Sequence, residues 1–119
     1  MRYAVSGSNT SAVNPATASD AEYVLGKAIK TGRHFWLRGV SIVPNATYGP
    51  VHIVDAAVGA TATAAVVSIG LNPDSNENVV VQFSAPGLKF TTGCVAFLNA
   101  SGSIGIGQIS GWGYEEGAA

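Results

Sequence analysis

Short apolar runs closed by turn residues repeat along this chain, and within them the dominant period is two. "RHFWLRGVSIVPN" (33–45) is dense in β-branched and aromatic residues and stops at Pro-Asn. "GPVHIVDAAV" (49–58), "AVVSIG" (65–70), "VVVQFSA" (79–85), "LKF" (88–90), "CVAFLN" (94–99), "SIGIGQI" (103–109) and "WGY" (112–114) follow it. A small-residue loop, "GATATA", and the turn-dense "LNPDSNEN" separate some of these runs. "AEYVLGKAIKTG" (21–32) has the composition of a short helix. Val24, Gly26, Ile29 and the Thr31-Gly32 turn fit a strand or kinked strand equally well, and that reading is preferred because everything downstream is β. Strands at spacings of about 8 to 12 residues, with no amphipathic helix between them, predict an all-β fold: an antiparallel β-sandwich or jelly roll.

Two stretches break simple alternation. In 33–45, Trp36, Val40 and Ile42 share one parity and Phe35, Leu37 and Val43 the other. Either both faces are partly covered, or Gly39 carries a bulge. In "FSAPGLKFTTGCVAFLN" (83–99), Pro86-Gly87 interrupts a strand where the chain can switch sheet, and Thr92-Gly93 turns back into a core strand with Val95 and Phe97 inward. That segment reads as scaffold rather than chemistry.

Residues 1–20 are mainly Ser, Thr, Asn, Ala and Gly with one Pro, and Tyr3, Val5 and Val13 are sizeable apolar groups too few to build a core. An extended N-terminal arm over 1–20 and one β-sandwich domain over 21–119 are expected, which suits a 12.0 kDa chain of 119 residues. No secretory apolar core or membrane-length apolar run stands in the sequence, so a soluble protein without a cleaved signal is expected.

Charge changes the picture more than length does. Only 11% of residues are charged, against about a quarter in ordinary domains, and the net charge is −1. A surface so nearly neutral favours association, which points to cover by copies of the same chain or by a larger assembly; a glycan-binding or glycosylated surface is the competing explanation. The scattered basic residues give no dense face for direct nucleic-acid contact.

Candidate chemistry is sparse. Cys94 is the one cysteine and has no internal disulfide partner; its apolar neighbours make it a core residue. His34 and His52 stand alone, without metal-ligand spacing, and no metal or other cofactor is expected. Asp74 and Glu77 belong to a turn that lacks regular acidic alternation. "GSIGIGQISGWG" (102–113) opens no βαβ unit, so its glycines mark a tightly packed or interface strand instead of a dinucleotide loop. Three Asn-x-Ser/Thr sequons, at Asn9, Asn45 and Asn99, read as products of composition, since no secretory signal is expected. Trp36, Trp112 and Tyr114 either form a sugar-stacking platform or close a core or subunit interface.

The progression "FWLRGVSIVP", "VHIVDAAVG", "VVVQFSAPGLKFTTGCVAFLNASGSIGIG" and "GYE" resembles small structural proteins of tailed-phage virions, in particular capsid decoration or cement proteins. The positions that carry the resemblance are Gly39-Val40, Asp55, Pro86 to Phe90 and Gly93, within residues 33–115. The loop at 57–64 and the N-terminal arm depart from that pattern. The resemblance implies a β-sandwich made in the host cytoplasm and attached to the outside of an icosahedral head, commonly as a homotrimer. There it would bind the major capsid protein and bridge capsomers, with no membrane and no enzymatic role. Tyr3, Val5, Val13, Trp36, Ile104, Ile106, Trp112 and Tyr114 are the candidate interface residues. The rival expectation is a carbohydrate- or receptor-binding module of a phage tail or fibre using Trp36, Trp112 or Tyr114. A jelly-roll enzyme would need a metal cluster that the sequence does not display.

Overall fold

A computed structural model describes residues 2–9, 22–45, 49–57, 65–71, 78–98 and 105–117. Among these, every regular element is a strand: β1 (Arg2–Asn9), β2 (Glu22–Tyr23), β3 (Arg33–Asn45), β4 (Gly49–Asp55), β5 (Val67–Leu71), β6 (Val79–Gln82), β7 (Leu88–Phe90), β8 (Cys94–Leu98) and β9 (Gly105–Gly117). All pairings are antiparallel. One sheet runs β1-β9-β3-β6, with β7 also paired to β3; the other runs β2-β8-β4-β5.

Side chains from both sheets meet in one core. Phe35, Leu37, Val40, Ile42 and Ile109 come from the first sheet, and Val51, Ile53, Ile69 and Ala96 from the second. Fully burying a side chain of this size stabilises the fold by about 1.5–3 kcal/mol each, so this core is the main source of stability. The segment after β2 turns at 24–27 instead of continuing as a strand, and its Val24 and Leu25 drop into the same core.

The broken alternation in β3 is a bulge. Leu37 pairs with Gly113 and Gly39 with Trp112, so Arg38 is the extra residue. Its insertion reverses parity, which is why Phe35 and Leu37 before it and Val40 and Ile42 after it all reach the same core.

The stretch 83–99 works differently from the sequence expectation. β6 pairs with Gly39–Ile42 and β7 with Phe35–Leu37, so the chain across Pro86-Gly87 stays on one sheet, running end to end along β3. Gly87 takes φ +105°, and a Cβ there would strike the Leu37 carbonyl. The sheet switch comes later, at Thr91–Gly93, between β7 and β8. In β8, Cys94 and Ala96 face the shared core, whereas Val95 joins a second cluster with Val54, Ala56 and Tyr23 on the other face of its sheet. The side chain of Phe97 lies outside the described residues.

Residues 2–9 of the expected arm are an edge strand, paired with β9 from Arg2↔Glu116 to Asn9↔Ile109. Alternation explains the difference: Tyr3, Val5 and Gly7 turn inward while Arg2, Ala4, Ser6 and Ser8 stay exposed. Gly7 lies so close to the Leu25 carbonyl that no Cβ would fit between them. Residues 10–20, and Val13 with them, lie outside the described residues.

Candidate binding surface of the first sheet

The outer face of the first sheet gathers Trp36, Trp112 and Tyr114. Register places them in two adjacent rows across the strands. One row reads Ala4, Tyr114, Trp36, Lys89 over β1, β9, β3 and β7. The next reads Ser6, Trp112, Gly39, Gln82 over β1, β9, β3 and β6. Small residues at 4, 6 and 39 leave the room that the aromatic rings fill.

Each row is held by a specific contact. The Trp36 and Tyr114 rings stack at 6.4 Å between centroids and 24° between planes. Arg2 lies 4.7 Å above the Tyr114 ring and the Lys89 ammonium 5.8 Å from the Trp36 ring, so a cation sits at each end of the stack. The Tyr114 hydroxyl donates to the Pro86 carbonyl at 3.2 Å. In the second row, the benzo ring of Trp112 occupies the space that a Cβ on Gly39 would take. Glycine is required there so that the indole can lie against the strand.

The bulge sets the third component. Arg38 accepts a hydrogen bond at its carbonyl from the Phe83 N–H at 2.9 Å, and its Nε donates to the Phe83 carbonyl at 3.2 Å. These two bonds fix the guanidinium beside Gln82. Arg38, Gln82, Phe83, Trp112 and Tyr114, with Ala4 at the rim, line an open cleft of about 470 Å³, a size ordinary for small-ligand sites. No Asp or Glu among the described residues lines it. Glu116, the acid that faces outward beside it, pairs with Arg2 at 3.9 Å.

The remaining candidate residues do not join this face. Tyr3 and Val5 point to the opposite side of β1, where Val5 packs on the core and the Arg33 guanidinium lies 3.7 Å from the Tyr3 ring centroid. Ile104 lies outside the described residues; Ile106 falls within β9, and its side chain is likewise not described.

Two further polar devices, one buried and one at the surface, support the sheets. Glu115 is only 4% exposed, and Arg33 binds its carboxylate at 3.2 Å. The Lys30 N–H donates to the same carboxylate at 3.4 Å. At the sheet switch, the Asp55 carboxylate accepts from the N–H groups of Thr91, Thr92 and Gly93 at 3.0, 2.8 and 3.1 Å, and from the Thr91 hydroxyl at 3.0 Å. Partial burial opposes the charge on Asp55, but these four donors outweigh it and hold its carboxyl below the ordinary carboxylate range. Cys94 is buried, and burial together with the neighbouring Asp55 charge pushes its thiol far up, which leaves it unreactive. Arg38, Gln82 and Glu115 were not singled out by sequence reasoning. The possible Gly39 bulge was the signal that could have found Arg38.

Among the described residues no three His, Cys, Asp or Glu side chains converge as metal ligands. His34 is exposed, and His52 meets the Ser68 hydroxyl through Nδ1 at 2.7 Å across the β4–β5 pair. No family model, curated protein or solved structure matches the chain.

Proposed function

We propose that this protein is a non-enzymatic structural component of a tailed-phage virion, attached to the outside of the shell and bridging subunits of the major capsid protein. The fold that goes with this reading is a β-sandwich of jelly-roll type, assembled as a homotrimer. The observation that carries it is the outer edge of β1, the last strand of the first sheet among the described residues. That edge is eight residues long, has no proline and carries one charged side chain, Arg2. No described strand pairs with its outward side.

Proteins that live alone shield such an edge with lysines, prolines, bulges or a covering segment, because unpaired N–H and C=O groups recruit foreign strands. An edge left plain is suited to receive a strand from a partner, with main-chain hydrogen bonds giving affinity. The low charge of the whole chain favours the same outcome, and repetition over a lattice turns modest contacts into avidity.

The test is light scattering of the purified protein, followed by cosedimentation with phage heads lacking it. Ser6→Lys with Ser8→Lys places charges at two exposed edge positions without touching the core. The reading requires a trimer, head binding by the native chain, and loss of that binding in the double variant. A monomer that ignores the heads overturns it.

A further inference from the structure

The aromatic face has a chemistry that edge pairing does not use. Trp112 carries an indole N–H and Gln82 a side-chain amide with no hydrogen-bond partner among the described residues. Arg38 spends its Nε on Phe83, which leaves both terminal Nη groups without a partner among those residues. The three residues that carry these donors line one cleft, together with the aromatic side chain of Tyr114.

From this arrangement we infer that the cleft between Trp112, Tyr114, Gln82 and Arg38 binds a carboxylate-bearing sugar, a sialyl or uronyl pyranose. A pyranose has an apolar C–H face and a rim of hydroxyls. The apolar face stacks on an aromatic wall, and the hydroxyls need donors and acceptors nearby, a need that the Gln82 amide and Trp112 N–H of the lining can meet.

The carboxylate follows from the charges. A guanidinium whose Nε is already bound presents its two Nη groups end-on, a geometry that matches the two oxygens of a carboxylate. Among the described residues no acid lines the cleft to compete for it, and Arg2 engages Glu116 nearby. A phosphate-rich polymer fits less well. The face carries Arg2, Arg38 and Lys89 against Glu116, too sparse a set of cations for binding driven by counterion release.

Titration of the full chain, followed by the Trp112 indole and Gln82 amide proton resonances, tests the inference. The probes are 3′-sialyllactose and a glucuronate-containing tetrasaccharide, with lactose and uridine monophosphate as comparators. One or both acidic sugars should shift those two resonances, with lactose binding about tenfold more weakly for want of the charge-assisted pair. Whichever acidic sugar responds identifies the source of the carboxylate.

Arg38→Met should erase the preference for the acidic sugar. Gln82→Ala, at an exposed position, should weaken binding several-fold with unchanged thermal stability. Trp112→Ala should remove binding of both sugars. No shift with either acidic sugar at about 10 mM overturns the inference, since that concentration would reveal even millimolar affinity. Lactose binding as tightly as the acidic sugar that responds, or tighter binding of the nucleotide, overturns it too. Cosedimentation of Gln82→Ala with heads is read separately, so failure of the sugar site and failure of the virion reading remain distinct.

Discussion

The two faces of β9 reverse the size pattern that core packing ordinarily dictates. On the inner face stand Ile109, Gly111, Gly113 and Glu115; on the outer face stand Ser110, Trp112, Tyr114 and Glu116. A strand selected for stability alone would bury its aromatics, because these carry the largest apolar area per residue. Here Gly111 admits the side chains of Val24 and Leu25, and the large rings are partly exposed. The inner face is therefore shaped by the close approach of another segment, and the outer face by something other than the core. Substitutions on the two faces should separate these demands.

The largest effect is expected from Glu115→Ala. It removes the carboxylate that the nearly buried Arg33 binds, and removing one member of a buried pair typically costs about 3–5 kcal/mol. Urea unfolding should show this loss, while Glu115→Leu combined with Arg33→Met should recover much of it. A loss below about 1 kcal/mol would mean that the pair behaves as a surface contact.

Asp55→Asn comes next, at about 2–3 kcal/mol, since an amide cannot accept from four donors and turns its own N–H groups on some of them. The pH dependence follows from the direction of the shift. A carboxyl held lower in the folded state than in the unfolded chain contributes stability that is complete above the unfolded value, near 3.9, and is lost as pH falls through the folded value. Native and variant stabilities should thus differ most at neutral pH and converge below about pH 4. A gap that persists unchanged into strong acid would remove the charge from the explanation.

Gly111→Ala should cost about 1–3 kcal/mol, because the new methyl would sit 2.7 Å from Val24 Cγ1 and one of the two must move. Chemical-shift changes should concentrate at Val24 and Leu25. If they spread over the outer face instead, the separation between the faces of β9 fails.

How much of this was legible beforehand depends on the range of the interaction. Period-two runs with turn residues between them identified the β class, and the run 33–45 signalled its bulge through Gly39 and a parity conflict within thirteen residues. Local patterning carries such features directly. The role of Asp55 was not legible, since its donors lie 36 to 38 residues away and only the fold brings them together. The same holds for Glu115 and Arg33, separated by 82 positions. The low apolar content of residues 1–20 predicts an extended arm or a loosely held segment and does not specify the pairing of β1. What holds it is a long antiparallel register with β9, which a polar strand can adopt without a hydrophobic signal. Trp36, Trp112 and Tyr114 were recognised as candidates, but their common face depends on the alignment of β3 with β9.

The smallest effect on stability, about 1 kcal/mol or less, is expected on the outer face from Trp112→Ala. The indole there rests against Gly39 and remains partly exposed, so its removal opens no closed cavity. Trp36→Ala should cost somewhat more, because it also releases the stack with Tyr114 and the contact with Lys89. Paired measurements of thermal midpoint and head binding distinguish the uses of this face. Little change in midpoint with unchanged head binding leaves the rings free for a small ligand while the β1 edge carries attachment. Little change in midpoint with lost head binding would instead place the aromatics within the protein contact. A large loss of midpoint would show that the outer rings are structural after all, and the inverted size pattern of β9 would then reflect packing alone.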